Sequence, residues 1–332
     1  MKAAVLKDYG SSENFNIEDW TPPTAGPGEI LVEVAFAGLR WGDIMGRQGI
    51  PVRTAKPPFV PGQEAAGVVA QLGEGVDRFK VGDRVVCQPA GGGYAQYVAV
   101  PAERAAHVPA RVSLEAALVY RVNLPTAYML VYEWAKVEEG ESVLVHAAAG
   151  GVGMLVVQIL KRRFKDVTVI GLAGSDEKVQ AVLANGADHA INYRARDYVE
   201  AVGEIAGAKP QGFAPGAAPA GVHVVLNGVG GGTLKTDRRV IRRLGRWVLF
   251  GTPGGTALIN PYENSYDSIA ILPFSIIPFT GTPAFKRSQA FLREWLETED
   301  LVAPTIRPIE EIAEVQAAME RGETQGKIVF KL

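Results

Sequence analysis

The chain has 332 residues, with 34 Lys and Arg against 36 Asp and Glu and a formal charge of −2. Hydrophobic residues make up 47% and charged residues 21%, which excludes a disordered or fibrous chain. The near-neutral balance argues against nucleic acid or an anionic membrane as an obligatory partner, and the length predicts two domains.

The single cysteine, Cys87, excludes an intramolecular disulfide, a multi-cysteine zinc knuckle and an iron–sulfur cluster, and it fits a reducing compartment. The first residues meet an acid by Asp8 and carry no secretory apolar core. The most apolar late stretch, residues 269–279, contains Pro273 and Pro278 and is too short to span a bilayer. A soluble cytoplasmic protein without a membrane span is expected.

In chain order, residues 29–34 follow Pro27-Gly28 and read as a strand. Residues 65–69, 84–86 and 94–100 read the same way, separated by glycine turns such as Gly82-Asp83. This first third predicts an all-β, barrel-like unit. Beyond residue 124 the texture changes. Residues 142–146 form a buried-strand run, and a helix follows with Val152, Leu155, Val156, Ile159 and Leu160 on one face. Lys161, Arg162, Arg163 and Lys165 close it, where cations suit the helix dipole. A strand at 167–172, a helix from 176 to 185 stopped at Gly186, and strands at 190–191, 222–226 and 247–250 come next. This alternation predicts an α/β domain with a doubly wound parallel sheet. Residues 206–221 read as a long flexible loop. Arg238, Arg239, Arg242, Arg243 and Arg246 suggest either RNA contact or, as the blander reading, a solvated helix. Helices around 283–297 and 309–321 and a last strand at 327–332 complete the chain.

The segment Ala148-Ala149-Gly150-Gly151-Val152-Gly153 is an A-x-G-x-x-G form of the dinucleotide fingerprint, placed between a strand and an amphipathic helix. A tight turn, close backbone approach to a diphosphate, and close helix–strand packing all require small residues here. The new helix then offers free N–H groups to phosphate oxygens. Ala149, Gly150, Gly151 and Val152 are the expected diphosphate contacts. A nicotinamide dinucleotide without a 2′-phosphate calls for an acid at the end of the second strand. That position reads Gly171-Leu172-Ala173-Gly174-Ser175. Gly174, Ser175 and Lys178, with Tyr193 and Arg194 after the next strand, suit a 2′-phosphate and therefore NADPH. Ser175 equally fits a plain helix N-cap, and Lys178 a solvated helix residue.

These residues, with Val60-Pro61-Gly62-Gln63-Glu64-Ala65-Ala66-Gly67-Val68-Val69, Val81-Gly82-Asp83-Arg84-Val85, Thr126-Ala127-Tyr128 and Gly326-Lys327-Ile328-Val329, resemble the medium-chain dehydrogenase/reductase superfamily. Within it the chain is similar to the quinone oxidoreductase, zeta-crystallin-like branch, and to the vesicle amine transport protein homologues in particular. The resemblance covers nearly the whole chain. It implies a GroES-like β domain, residues 1–123 and 283–332, and a Rossmann domain, residues 124–282, with NADPH in a cleft between them. It places Arg40, Asp43, Gln63, Asn123 and Thr126 at the nicotinamide end. Of these, Arg40, Asp43, Gln63 and Thr126 are the expected catalytic residues, and Asn123 and Thr126 also meet the cofactor. Asn227, Val229, Phe250, Gly251, Thr252 and Lys327 are the remaining implied cofactor contacts.

The resemblance also raises zinc. Zinc alcohol dehydrogenases share the fold, but their catalytic thiolate and imidazole positions hold Arg40 and Gln63 here, neither a comparable ligand. No metal is expected. Family members usually carry Asn where Arg40 stands. Arg40 fits either an anchor for a carbonyl oxygen or a salt bridge to Asp43 or Glu64. Ile50 and Pro51 occupy the stretch where many relatives have a phenol. Tyr94 reads as barrel packing more readily than as a cleft aromatic, and His146 as a satisfied core histidine. Lys327 fits a surface strand end as well as a cofactor contact. No general acid stands out.

The expected activity is NADPH-dependent hydride transfer to a quinone, enone or other activated small-molecule acceptor. An enoyl-thioester reductase is the alternative, for which Arg47 and Arg53 are the basic candidates, and a non-catalytic NADPH-binding protein is the third reading. The apolar stretch at 269–279 suggests a homodimer formed edge to edge.

Overall fold

The chain, described at residues 1–50, 55–208 and 220–332 in a computed structural model, folds as two units. One comprises Met1–Val122 with Arg293–Leu332, and the other Asn123–Leu292. Pro51, Arg53 and most of the expected 206–221 loop lie outside the described residues.

The first unit contains β1 (Lys2–Leu6), β2 (Phe15–Asp19), β3 (Glu29–Gly38), β4 (Ala65–Leu72), β5 (Arg84–Cys87), β6 (Tyr97–Pro101) and β7 (Ala105–His107). Strand β3 alternates as a half-buried strand should: Ile30, Val32 and Val34 face the core while Glu33 faces water. The buried row packs against Val69, Val85, Val98 and Val100.

In the second unit follow β8 (Ser142–Val145), β9 (Thr168–Ala173), β10 (His189–Asn192), β11 (Val222–Asn227), β12 (Ile241–Leu249) and β13 (Ala270–Pro273). They form one parallel sheet in the order β10-β9-β8-β11-β12-β13. The order reverses between β8 and β11, and such a reversal opens a crevice at the carboxyl ends of the strands. Continuous apolar runs, such as Val143, Leu144 and Val145 at 0% exposure, are what a sheet covered on both faces demands.

The chain then returns to the first unit with β14 (Thr305–Pro308) and β15 (Ile328–Lys331). Strand β15 lies antiparallel beside β3, Val329 opposite Gly38 and Phe330 opposite Ala37. The first unit's main sheet runs β14-β15-β3-β4-β5-β7, with β6 paired to β3. The fold is the expected one, a GroES-like β unit and a unit with a Rossmann-type parallel sheet.

Two expectations need correction. The arginine run is not a solvated helix: Arg242, Arg243 and Arg246 lie on β12, pulled into the sheet by Ile241, Trp247 and Val248. Their charges are taken internally. Arg242 meets His223, Arg243 meets Asp267 at 3.5 Å, and Arg246 meets Glu141. The division between units falls inside the helix Pro283–Thr298, at Leu292/Arg293, rather than at its start. That helix is unbroken: Phe291 packs on Tyr128 and Tyr132, while Leu296 joins the cluster of Val108, Val112 and Ala117. Among the described residues no helix is long and apolar enough to cross a membrane.

Candidate functional site

In the second unit the fingerprint folds as its steric demands require. After β8 the chain turns at Ala147, a non-glycine residue at φ 48°. Gly150 caps the helix Gly151–Arg163 and donates its N–H to Ala147 O at 2.8 Å. A Cβ on Gly153 would strike Ala147 O and lie 2.9 Å from Ala148 Cα, so only glycine fits. The first N–H groups of this helix, at Gly151 and Val152, lack intrahelical acceptors and sit at its positive end. With Ala149 and Gly150 they could hold a diphosphate.

At the end of β9, Gly174 receives the side chains that follow β10. A Cβ placed there would lie 2.8 Å from the Tyr193 hydroxyl and 3.4 Å from Arg194 Nε. Ser175 is the N-cap of the helix Asp176–Ala184, its hydroxyl accepting the Lys178 N–H at 3.3 Å. Glu177 lies below the ordinary carboxylate range because its own N–H and then the Ser175 hydroxyl bond to it. The cap reading of Ser175 therefore holds. Tyr193, Arg194 and the half-buried Lys178 are the groups of this corner that could hold a phosphate.

The turns after β11 and β12 interlock. Phe250 N–H donates to Asn227 O at 3.0 Å, and Gly254 N–H to Val229 O at 2.8 Å. A Cβ on Gly228 would lie 2.7 Å from the Phe250 ring. Asn227, Val229, Phe250, Gly251 and Thr252 thus gather at adjacent strand ends, beside the point where the strand order reverses. Asn123 and Thr126 stand on the helix Asn123–Tyr128 of the same unit, Asn123 buried and Thr126 half-buried.

Arg40, Asp43 and Gln63 come together in the first unit, with Glu64, Tyr94 and Lys327. Gly62, at φ +94°, presses on Tyr94, where a Cβ would lie 2.7 Å from Tyr94 N. This close approach aims Gln63 and Glu64 toward the start of the helix Trp41–Arg47. Glu64 is fully buried, bonded to Lys327 Nζ and 3.6 Å from Arg40 Nε. Arg40 also donates to Gln63 Oε1 and pairs with Asp43 at 4.0 Å. Asp43 Oδ2 accepts the Arg40 N–H at 2.9 Å and the Tyr94 hydroxyl at 3.0 Å. Asp43 Oδ1 is buried and has no hydrogen-bond partner among the described residues. Asp43 lines a cavity of about 330 Å³, together with Phe59, Pro61, Gly62, Gln63 and Gly91.

The electrostatics follow from one guanidinium serving two carboxylates. Burial pushes the Asp43 carboxyl up, Arg40 pulls it back, and the nearby Glu64 charge pushes it up again, leaving it raised. Burial works against the Arg40 charge, but Asp43 and Glu64 outweigh it and hold Arg40 above its usual range. Burial, then Asp43, drives the Tyr94 phenol well up.

Several open readings close here. Arg40 forms the salt bridges, to both Asp43 and Glu64. Lys327 is no surface strand end: it is 4% exposed and its ammonium is held by Glu64. Tyr94 packs edge-on against Phe330 and also bonds Asp43. Arg47 is 2% exposed and tied to Glu320, Gln316 and Gly10, so it has no hand free for a substrate phosphate. His146 is a satisfied core residue, 2.7 Å from Asp237. Burial pushes the Cys87 thiol up to about 12, which makes it inert. Glu64 lay inside a quoted motif and its bridge to Arg40 was one of the open readings, whereas its bond to Lys327 and the Tyr94–Asp43 bond had no signal in the sequence.

Two family descriptions match the chain: an alcohol dehydrogenase GroES-like domain over residues 26–110 and a zinc-binding dehydrogenase over residues 151–283. The second description names a metal, and the donor set here does not fit it. Arg40 and Gln63 are not zinc ligands, and Glu64 is committed to Lys327 and Arg40. The human synaptic vesicle membrane protein VAT-1 homolog is 35% identical over 76% of this chain, and the match spans only 61% of that protein's length. A probable quinone oxidoreductase of Schizosaccharomyces pombe is 34% identical over 93% of this chain and 90% of its own. The crystal structure of Escherichia coli quinone oxidoreductase complexed with NADPH superposes with a TM-score of 0.87 at 28% identity, covering all of both chains. With a likeness that runs through nine-tenths of both sequences and a shared fold from end to end, the chain belongs to the medium-chain dehydrogenase/reductase superfamily, in its zinc-independent quinone oxidoreductase branch.

Proposed function

We propose that this protein is an NADPH-dependent, zinc-independent oxidoreductase that reduces quinones or other activated alkenes and carbonyls. The observation that carries the reading is the wall of the first unit's cavity. Arg40 occupies Gln63 Oε1, which leaves the Gln63 amide to offer its N–H groups. Beside it the cavity-lining Asp43 has a buried carboxyl oxygen with no hydrogen-bond partner among the described residues. An amide donor and a carboxyl together suit an acceptor whose oxygen gains negative charge and then a proton.

NADPH, when bound, supplies a hydride from its nicotinamide ring. The fingerprint residues Ala149, Gly150, Gly151 and Val152 hold its diphosphate. Gly174, Ser175, Lys178, Tyr193 and the adjoining Arg194 take the 2′-phosphate end. Asn123, Thr126, Asn227, Val229, Phe250, Gly251 and Thr252 hold the ribose and nicotinamide end. Gln63 steadies the developing oxyanion, and Asp43 gives the proton from Oδ1. Arg40 and Lys327 balance the paired carboxylates and keep the wall rigid. Lys327 therefore acts within the catalytic unit, through Glu64, and not on the cofactor.

A small neutral acceptor fits this wall, because Arg40, which bonds the cavity-lining Gln63, is already shared by two carboxylates. The enoyl-thioester reading loses Arg47 to its internal pairs, and Arg53 lies outside the described residues. We also propose a homodimer through β13, which among the described residues pairs with β12 alone and lies in a region where Tyr262, Tyr266 and Ile277 are exposed. A chain mass in solution of one copy would remove that proposal. A cytoplasmic location accords with the lone reduced thiol, Cys87.

The decisive experiment follows NADPH oxidation with a panel of quinones, enones and enoyl-CoA esters. Turnover of quinones or enones is expected. Turnover confined to enoyl-CoA favours the thioester reading, and tight NADPH binding with no turnover favours a binding protein.

A further inference from the structure

We infer that Asp237 is a positioning residue for the nucleotide-binding turns: its buried carboxylate fixes the Asn227 side chain, which in turn fixes the Val229–Gly230 backbone. The inference deepens the NADPH reading above.

Asp237 is 0% exposed, yet its carboxylate is fully satisfied. Oδ1 accepts from His146 Nε2 at 2.7 Å and from the Tyr198 hydroxyl at 2.9 Å. Oδ2 accepts from Asn227 Nδ2 at 2.5 Å and from Trp247 Nε1 at 3.1 Å. The donors come from four separate segments. Two of them matter for the cofactor. His146 directly precedes the fingerprint turn, and Asn227 is the last residue of β11.

The Asn227 amide has no spare capacity. Its Nδ2 donates to Asp237 and to Thr233 Oγ1 at 2.8 Å. Its Oδ1 accepts the N–H groups of Val229 and Gly230, both at 2.8 Å. Thr233 passes its own proton to Gly230 O at 2.6 Å, so its oxygen must face Asn227 as an acceptor. A flipped amide would set N–H against two backbone N–H groups and carbonyl oxygen against a carboxylate. Asp237 therefore dictates which way Asn227 points.

The consequence travels to the next turn. Gly230 and Gly231 adopt φ +74° and +58°, and Gly231 N–H bonds Gly255 O at 2.9 Å. Gly254 N–H bonds Val229 O at 2.8 Å. One carboxylate thus orders the turn bearing Val229 and, through it, the turn bearing Gly251 and Thr252. A neutral amide at 237 has one acceptor oxygen and would face some of the four donors with N–H.

The test compares Asp237→Asn with Val202→Ala, a cavity variant in the same apolar cluster whose side chain takes no part in the hydrogen-bond chain. Apo proteins are examined by hydrogen–deuterium exchange and thermal melting, and NADPH binding by nucleotide fluorescence. Asp237→Asn should raise exchange across residues 228–233 at least about tenfold more than Val202→Ala does, and raise the NADPH Kd about tenfold or more. Its KM for the acceptor should stay within about twofold, since no acceptor group is touched. Thr233→Val, which cuts the same chain without a buried charge, should raise exchange in that segment and weaken NADPH in the same direction. It decides the matter if Asp237→Asn does not fold. Unchanged exchange at 228–233 in a folded Asp237→Asn, or in Thr233→Val, overturns the inference. Failure of wild-type protein to bind NADPH would instead overturn the functional reading, while the exchange arm still judges Asp237.

Discussion

Two aspartates, one in each unit, are both nearly sealed from water: Asp237 at 0% exposure and Asp43 at 3%. Asp237 accepts four hydrogen bonds, two on each oxygen. Asp43 accepts two, both on Oδ2, and its Oδ1 faces no donor among the described residues. Buried polar atoms are nearly always paired, so the exception needs a reason. A saturated carboxylate can only hold its neighbours still. An unsaturated one at the edge of a cavity is where a substrate atom or a proton can be exchanged. The contrast separates a carboxylate that positions from one that reacts.

The largest effect concerns what keeps the reactive side assembled. Lys327→Met strips Glu64 of its buried ammonium and leaves Arg40 to serve two carboxylates alone. Removing one partner of a buried pair costs about 3–5 kcal/mol, a large share of a domain's stability. Urea unfolding measures it. A loss under about 1 kcal/mol would show that Lys327 contributes no more than a surface charge does.

Asp43→Asn tests the reaction itself. Turnover should fall about 100-fold or more, the usual worth of a placed proton donor, with NADPH affinity unchanged. The wild-type pH profile carries the same information. A proton donor must be protonated, and the folded Asp43 carboxyl is raised above the usual aspartate range by burial. Turnover should therefore hold at low pH and fall as pH rises through that raised value. The alkaline limb should vanish in Asp43→Asn. The same shift makes folding stability decline as pH climbs through that window, because the folded state holds the proton more tightly.

Lys178→Ala probes the nucleotide side at a group that is only half-buried. A charge-assisted contact to a 2′-phosphate is worth about 1.5–3 kcal/mol, so NADPH should weaken about tenfold more than NADH. Equal weakening of both would confine Lys178 to the helix surface and leave Tyr193 and Arg194 as the phosphate contacts.

How much of this was legible in the sequence depended on whether the constraint is local. The fingerprint was, because Gly153 is required by atoms only five and six residues away, at Ala148 and Ala147. The parallel sheet was, because apolar runs such as Val143–Leu144–Val145 alternate with amphipathic helices. The buried pairs were not. Tyr94 lies 51 residues from Asp43, Asp237 lies 91 from His146, and Lys327 lies 263 from Glu64. No spacing rule connects them, since each depends on how strands from distant segments are laid side by side. The arginine run misled for a related reason. Four charges among Arg238, Arg239, Arg242 and Arg243 suggest a solvated helix, but Val240, Ile241 and Trp247 carry the burial that decides the matter. Partners such as Asp267 and Glu141 then neutralise the charges in place.

The smallest predicted change is the most discriminating. Tyr94→Phe keeps the ring that packs edge-on against Phe330 at 5.7 Å and removes only the hydroxyl. Asp43 Oδ2 then loses one of its two donors and retains the Arg40 N–H. The stability loss should be about 1 kcal/mol, the net worth of one hydrogen bond. Turnover at low pH should change only a few-fold, because Oδ1 and its proton are untouched. The informative quantity is the alkaline limb. A hydroxyl donating to a carboxylate favours its charged form, so deleting it makes Asp43 a weaker acid. The limb should move to higher pH in Tyr94→Phe, opposite to its disappearance in Asp43→Asn. A limb that stays fixed when the Tyr94 hydroxyl is gone belongs to some other group, and the distinction drawn between the two aspartates would then lose its catalytic half.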